Sequence, residues 1–465
     1  MKIIKDWNKI RYKIIGKIDL FFMNVKYGFL KTFLIFVFIV NQILFLFDFI
    51  KFFDNKHIFE STILNIYINL LIGTIIIAII GYIIRYQYYS YIIQIKNYSQ
   101  NQKLELKVNI KLSEEYISSG YEVKTFKNRD LCKDNSLDEY YVASRKINSK
   151  LQNETCLINI RHDAPFIIDN ELITLVPKIM YWNFKAHYFM NNGKLLKQNK
   201  SLLLNADNEL KYCGDSSLMM PVSKVSYYSG QCTHEIVYKK FYSLRKIGKI
   251  FDGKKLLVDD ENVLYPLEYS RCANFLGAST LLITQDNKIL IARQDTYSKA
   301  NPNRYAPTGS GSVEWKKDYT NVNTENLCDV IIHAMDRELR EEWNLPGRKR
   351  LKINTKLIGY ARLIERGGKP DYFGLSYTPN SFAEIKCMLN GKGFISKKEK
   401  GLQNDNYYLL SFNDDKQIIE ELKRFCDEEK EQLSIQVHII LEIMEQMKQD
   451  EFFYNFLNNL RSDNC

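Results

Sequence analysis

The sequence predicts an α+β chain in three parts: a helical hairpin that would cross a membrane, a β-rich middle region, and a C-terminal region of strands around one long helix. Three observations carry that expectation. Two apolar runs near the N-terminus are each long enough to span a bilayer. The middle shows short strand-like segments separated by turn residues. Towards the C-terminus, a β-hairpin and a glycine-rich turn precede a helix-forming run with three glutamates within five residues, Glu338, Glu341 and Glu342.

At 465 residues the chain is longer than one ordinary domain, and 46% apolar content is enough for real cores. The net charge of +11 is modest, and part of it lies beside the first apolar run. There is no basic, aromatic-interleaved groove signature, so nucleic acid is not an expected partner. The nine cysteines stand singly, in odd number, without a CxxC pair. That pattern predicts reduced thiols in a cytoplasmic compartment and argues against a disulfide framework or a zinc site.

Residues 1–28 form a basic segment, and 29–84 hold the hairpin. FLKTFLIFVFIVNQILFLFDFI, residues 29–50, is the first span, and STILNIYINLLIGTIIIAIIGYII, residues 61–84, the second. Basic residues flank both outer ends, from Lys2 to Lys31 before and at the start of the first span and from Arg85 to Lys107 after the second. The connecting loop is near neutral. This distribution predicts a two-pass protein of the cell (inner) membrane with both termini cytoplasmic and the lipid bilayer as a partner. Asn41, Gln42, Asn65 and Asn69, with Gly73 and Gly81, could bond and pack helices, which would make the hairpin the place of a homo-oligomer contact. No ionisable residue lies mid-span, which favours an anchor over a pore.

Residues 100–250 read as a β-rich domain of unassigned role, or as an extension of the next domain. KLELKVNIKL, from Lys103, alternates polar and apolar residues as a half-buried strand does. CLINI from Cys156, ELITLV from Glu171 and KLLVDD from Lys255 are further strand candidates, and clusters such as NNGK and CGDSS separate the runs. No catalytic constellation is visible here; the pairs His162–Asp163 and Thr233–His234 are isolated.

Residues 265–450 hold the motif-bearing domain. LGASTLLITQDNKILIARQ, residues 276–294, reads as a hairpin turning at Gln285–Lys288. RYAPTGSGSVEW follows, with Gly309 and Gly311 permitting close backbone approach. Thr324 is a candidate N-cap, with Glu325 in the first turn of a helix that runs to about Asn344, Pro346 and Gly347. Strands are expected from Thr355 and from Asp371. At helical spacing Glu338, Glu341 and Glu342 share one face. Taken alone, such a run fits a solvated, salt-bridged surface. It equally fits a site for a hard divalent cation.

The order hairpin, glycine loop, glutamate helix and strands resembles the Nudix hydrolase superfamily. Its signature is a glycine, five residues, Glu, seven residues, then Arg-Glu-aliphatic-x-Glu-Glu-x-Gly-aliphatic. Arg337 to Leu345, RELREEWNL, matches the second half, with Asn344 in place of glycine. The first half departs. Counting back eight from Arg337 reaches Asp329 where the family has Glu, and the glycine register falls on Asn323, so the segment carries an insertion. The likeness spans about 270 to 445.

The resemblance implies an α/β/α sandwich with a mixed sheet. It also implies a Mg²⁺- or Mn²⁺-dependent hydrolase cleaving a nucleoside diphosphate linked to another group. Glu338, Glu341 and Glu342 would hold the metal, with a main-chain carbonyl of Ser310 or Gly311 as a further ligand. Arg337 would orient a glutamate, and Gly309 and Gly311 would line the substrate. The general base can lie outside the signature; Glu365, in ERGGKPDY, is the first candidate and Glu314 the second. A second function class stays open: a membrane-tethered nucleotide sensor or effector, as in bacterial defence signalling, whose Nudix-like domain binds without cleaving.

Overall fold

The computed structural model describes residues 93–462 except 128–137, 154–157, 163–165, 174, 176–189, 192–193, 196–201, 214–216, 244–248, 295–302, 323–325, 344, 346–350 and 391–406; before residue 93 it describes Gly73 alone. The expected spans 29–50 and 61–84, Gly73 apart, lie outside the described residues. Among those described, no helix is long and apolar enough to cross a membrane. The membrane hairpin is therefore not part of the observed fold class, and the two-pass inner-membrane placement deduced from it does not stand.

The chain divides into two compact units. The first comprises Met1–Asn97, Asp169–Leu196 and Lys239–Asp252. Its described part is a three-stranded antiparallel sheet of Ile93–Asn97, Lys239–Ser243 and Lys249–Asp252, with the short helix Asn170–Ile173 and the two-residue strands Met190–Asn191 and Lys194–Leu195. ELITLV, expected as a strand, is in that helix at its start.

The second unit, Tyr98–Ile168, Lys197–Tyr238 and Gly253–Cys465, carries the motif. It opens with α1, Gln100–Val108. This is where KLELKVNIKL predicts a strand. Ser99 overrides the alternation: its hydroxyl accepts from the Gln102 N–H while the Gln102 side chain returns to the Ser99 N–H, closing a capping box that nucleates a helix. KLLVDD likewise begins inside a helical turn, Gly253–Leu256, whereas the end of CLINI does form a strand, Ile158–His162.

Among the described residues, nine strands build the main sheet. They are β1 (Tyr121–Phe126), β2 (Glu139–Ser144), β3 (Gly277–Thr284), β4 (Lys288–Arg293), β5 (Tyr305–Ala306), β6 (Gly309–Ser312), β7 (Asn354–Leu363), β8 (Lys369–Thr378) and β9 (Tyr407–Ser411). The path runs β5-β4-β3-β8-β7-β2-β1, with β6 on β3 and β9 on β4. The sheet is mixed, because β3 and β8 are parallel while the other pairs are antiparallel. The expected hairpin is β3–β4. Its turn places Asn287 at φ 55°, a left-handed conformation asparagine tolerates.

Helix α2 (Leu327–Glu342) packs on one face, with Met335 against Gly374 and Leu339 against Gly309. On the other face lie α3 (Ile418–Glu428), α4 (Ile435–Gln449) and α5 (Phe453–Ser462). Their Leu422, Phe425, Ile440, Met444 and Phe456 form one core with Leu281, Ile291, Phe373 and Leu375 of the sheet. The result is helix, sheet, helix, each apolar face covered. Strands β1 and β2 extend this sheet beyond β7, joined to it by Ala143–Ala361 pairing. A smaller sheet of Ile158–His162, Leu202–Ala206, Lys211–Cys213 and Ser217–Ser226 belongs to the same unit. A buried cross-link joins distant segments: Arg362 donates to Glu209 Oε1 and to the Tyr265 carbonyl, each at 2.8 Å, and also bonds Tyr116.

Candidate functional site

Strand β6 pairs with β3 and lies against the C-terminal half of α2. Two glycines make that approach possible. A Cβ on Gly309 would stand 2.9 Å from the Leu339 nitrogen. One on Gly311 would stand 2.0 to 2.4 Å from the carboxylate atoms of Glu338. Between them, the Ser310 N–H donates to Glu342 Oε2 at 3.3 Å. Two of the three glutamates therefore close on adjacent residues of one strand. Glu341 does not join them. It is exposed and pairs with Lys317 Nζ at 3.0 Å.

Arg337 is the hub. Its Nε and Nη2 donate to the two oxygens of Asp318 at 2.8 and 2.9 Å, a two-pronged clamp. Nη2 also reaches the Ser312 carbonyl at 2.9 Å, and Nη1 donates to Glu338 Oε1 at 2.7 Å and to Glu341 Oε2 at 3.4 Å. Burial would loosen the Arg337 proton, yet Asp318 and Glu338 hold it above its ordinary value. The Glu338 carboxyl is pushed up by burial, against the lowering pull of Arg337.

Sequence reasoning missed Asp318. It is fully buried and accepts from the Glu314 N–H at 2.7 Å, with His333 Nδ1 at 3.2 Å as a further partner. Burial acts to raise its carboxyl, but the bonds from His333 and Arg337 outweigh that and hold it low. Trp315–Tyr319 forms a single π-helical turn that carries Asp318 inward, a local geometry often found at functional sites. The signal was present. Asp318 follows Gly311 by seven residues, one more than the signature's glycine-to-glutamate spacing, and the insertion lies after it. Asp329, reached by rigid counting, is exposed. Helix α2 is capped by Asn326, whose side chain accepts from the Cys328 N–H at 3.2 Å. The expected cap residues Thr324 and Glu325, and Asn323 and Asn344, lie outside the described residues.

The two base candidates are both engaged. Glu314 pairs with Lys317 at 3.2 Å and stands 4.0 Å from Arg337. Glu365 sits after β7, where Lys107 Nζ reaches it at 2.6 Å and the Tyr140 N–H donates to it at 3.0 Å. Burial raises its carboxyl, opposed by Lys107. Its bonds run to α1 and β2, not to α2.

Among the described residues, no three His, Cys, Asp or Glu side chains gather around one point that could hold a metal ion. The donor set fits a more modest arrangement. Glu338 and Glu342 meet Gly311 and Ser310 in a cradle that a Cβ on Gly311 would fill. One or two carboxylates completed by waters and substrate phosphates is how Mg²⁺ is ordinarily held.

No family model matches the chain, and no curated protein matches it. Solved structures that resemble it include DR0079 from Deinococcus radiodurans, at 13% identity and TM-score 0.21, covering 37% of this chain and 88% of that one. Tm1382, described as a candidate Nudix hydrolase, matches at 13% identity and TM-score 0.23, covering 52% of this chain and all of its own length. With TM-scores this low, neither likeness bears on the chemistry.

Proposed function

We propose that the second unit is a Nudix-type hydrolase that cleaves a nucleoside diphosphate linked to another group, with Mg²⁺ or Mn²⁺ held by Glu338 and Glu342. The observation that carries this reading is the convergence of those two glutamates on Gly311 and Ser310 beside the Arg337 hub. A divalent ion there would supply charge neutralisation for the diphosphate oxygens and activation of a water. The chain's own contribution is placement. Gly311 leaves room for Glu338, the Ser310 N–H fixes Glu342, and Arg337 keeps Glu338 from swinging away. Glu341, exposed and paired with Lys317, stands apart from these two carboxylates. One observation favours a second reading, nucleotide binding without turnover: Glu365, the first base candidate, is tied to Lys107 and Tyr140.

The test is product release from a panel of nucleoside diphosphate derivatives with Mg²⁺ or Mn²⁺, using the full chain. Glu338→Gln and Glu342→Gln should each lower kcat by about 100-fold, since losing a metal carboxylate removes several kcal/mol of charge stabilisation. Tight Mg²⁺-dependent nucleotide binding with no product over hours would reject hydrolysis and leave binding as the function.

A further inference from the structure

We infer that Asp318 is the positioning residue of this site: its clamp on Arg337 sets where the Glu338 carboxylate stands. This rests on the hydrolase reading for its catalytic consequence, though the clamp itself is a matter of geometry.

Three features support the assignment. Asp318 offers both oxygens to one guanidinium, at 2.8 and 2.9 Å, and that geometry fixes the plane of the group as a single bond would not. The same guanidinium then has Nη1 directed at Glu338 and Nη2 also at the Ser312 carbonyl, so its orientation is passed to both the helix and the glycine strand. Asp318 is in turn held from outside the clamp by His333, one helical turn before Arg337, and by the Glu314 N–H. A carboxylate buried to this degree persists only with such partners. Asp329 cannot take this part from an exposed position at the start of α2. The insertion between Asp318 and α2 is thus tolerated because the carboxylate returns to the arginine through space, not through fixed spacing along the chain.

The experiment compares Asp318→Asn, Asp318→Glu and Asp329→Asn in the full chain. Three readouts are taken: the slowly exchanging Nε–H resonance of Arg337 in arginine-labelled protein, Mn²⁺ affinity by electron paramagnetic resonance, and the split of kcat from KM. Asp318→Asn should abolish the Arg337 resonance and weaken Mn²⁺ about tenfold. It should lower kcat roughly 100-fold with little change in KM, the cost of a misplacement near 1 Å. Asp318→Glu should recover most of each loss, and Asp329→Asn should change none. An unchanged Arg337 resonance and kcat in Asp318→Asn, or these losses appearing in Asp329→Asn instead, would overturn the inference. If Asp318→Asn does not fold, Asp318→Glu decides: the resonance kept supports the clamp, and a folded variant without it refutes the clamp. If the unmutated chain makes no product while the resonance and Mn²⁺ affinity depend on Asp318, the hydrolase reading fails and the clamp stands.

Discussion

Substituting Gly311 by Ala separates the chemistry of the site from the stability of the fold. The added methyl would lie 2.0 Å from Cδ of Glu338 and 2.1 and 2.4 Å from its oxygens, where ordinary contact begins near 3.4 Å. Either the strand or the carboxylate must give by more than 1 Å. The carboxylate is the cheaper, being the end of a flexible side chain, and its exit breaks the 2.7 Å bond to Arg337. A charged hydrogen bond contributes about 1.5–3 kcal/mol. Part returns when Glu338 reaches water, so the net cost is about 1–2 kcal/mol and, for a unit of this size, the fall in Tm is roughly 1–3 °C. Turnover should fall far more, by about 100-fold, because the ligand itself has moved. Gly309→Ala is the companion. Its methyl meets the backbone nitrogen of Leu339 at 2.9 Å, so the whole helix must back away from β6 and the melting temperature should fall further. Thermal melts and product release on both variants give the answer. A Gly311→Ala protein with turnover within about threefold of the unmutated chain would show that the position of Glu338 is not what the reaction needs.

Three other outcomes follow from the same geometry. Mn²⁺ should raise the melting temperature, and Glu338→Gln or Glu342→Gln should erase the rise while Glu341→Gln, facing Lys317, leaves most of it, as thermal melts with and without metal would show. Lys369, buried beside Asp371 at 2.6 Å, is brought by burial to about 8, with Asp371 opposing the fall. Its folded value lies below the unfolded one, so the unfolded chain binds more protons between about pH 8 and 10.5 and this group's contribution to stability increases across that window; replacing the pair as Lys369→Met with Asp371→Leu should flatten the rise by about 2 kcal/mol in denaturant titrations at pH 8 and 10. Glu209→Gln should cost about 3–5 kcal/mol in the same titration, because it strips Arg362 of the carboxylate that balances it in a fully buried place.

Much of the motif-bearing region could be read from the chain because its signals are local. The β3–β4 hairpin, β7, β8 and the glutamate helix each announce themselves through a periodicity and a turn within about twenty residues. What failed depends on contacts the periodicity does not contain. The alternation from Lys103 was outweighed by a two-residue cap at Ser99 and Gln102. In the sequence Lys107 is only a flanking charge, yet it is the partner of Glu365, far along the chain. Arg362 and Glu209 are 153 residues apart, and nothing near either announces the pair. Asp318 was lost for a different reason. Counting residues backward from Arg337 assumes the signature's spacing, and Asp318 stands outside that spacing.

The three glutamates of α2 also explain how a helix tolerates like charges at adjacent positions of one face. Such neighbours destabilise a helix by a few tenths of a kcal/mol each when left to water. Here they are dispersed to different partners: Glu338 to Arg337, Glu341 to Lys317 and, more distantly, Arg337, and Glu342 to the N–H of Ser310. That dispersal decides which glutamates remain useful to a ligand. Glu341, exposed and already paired with Lys317, would gain little by turning inward. Glu338 is poorly solvated and its charge is only partly balanced, which is why its carboxyl stands above the ordinary range. A cation placed beside it would relieve a cost the fold already bears, whereas the same cation beside Glu341 would have to compete with a lysine in water. On the proposed reading, the charge pattern would therefore direct a divalent ion to the glycine strand and away from the outer edge of the helix.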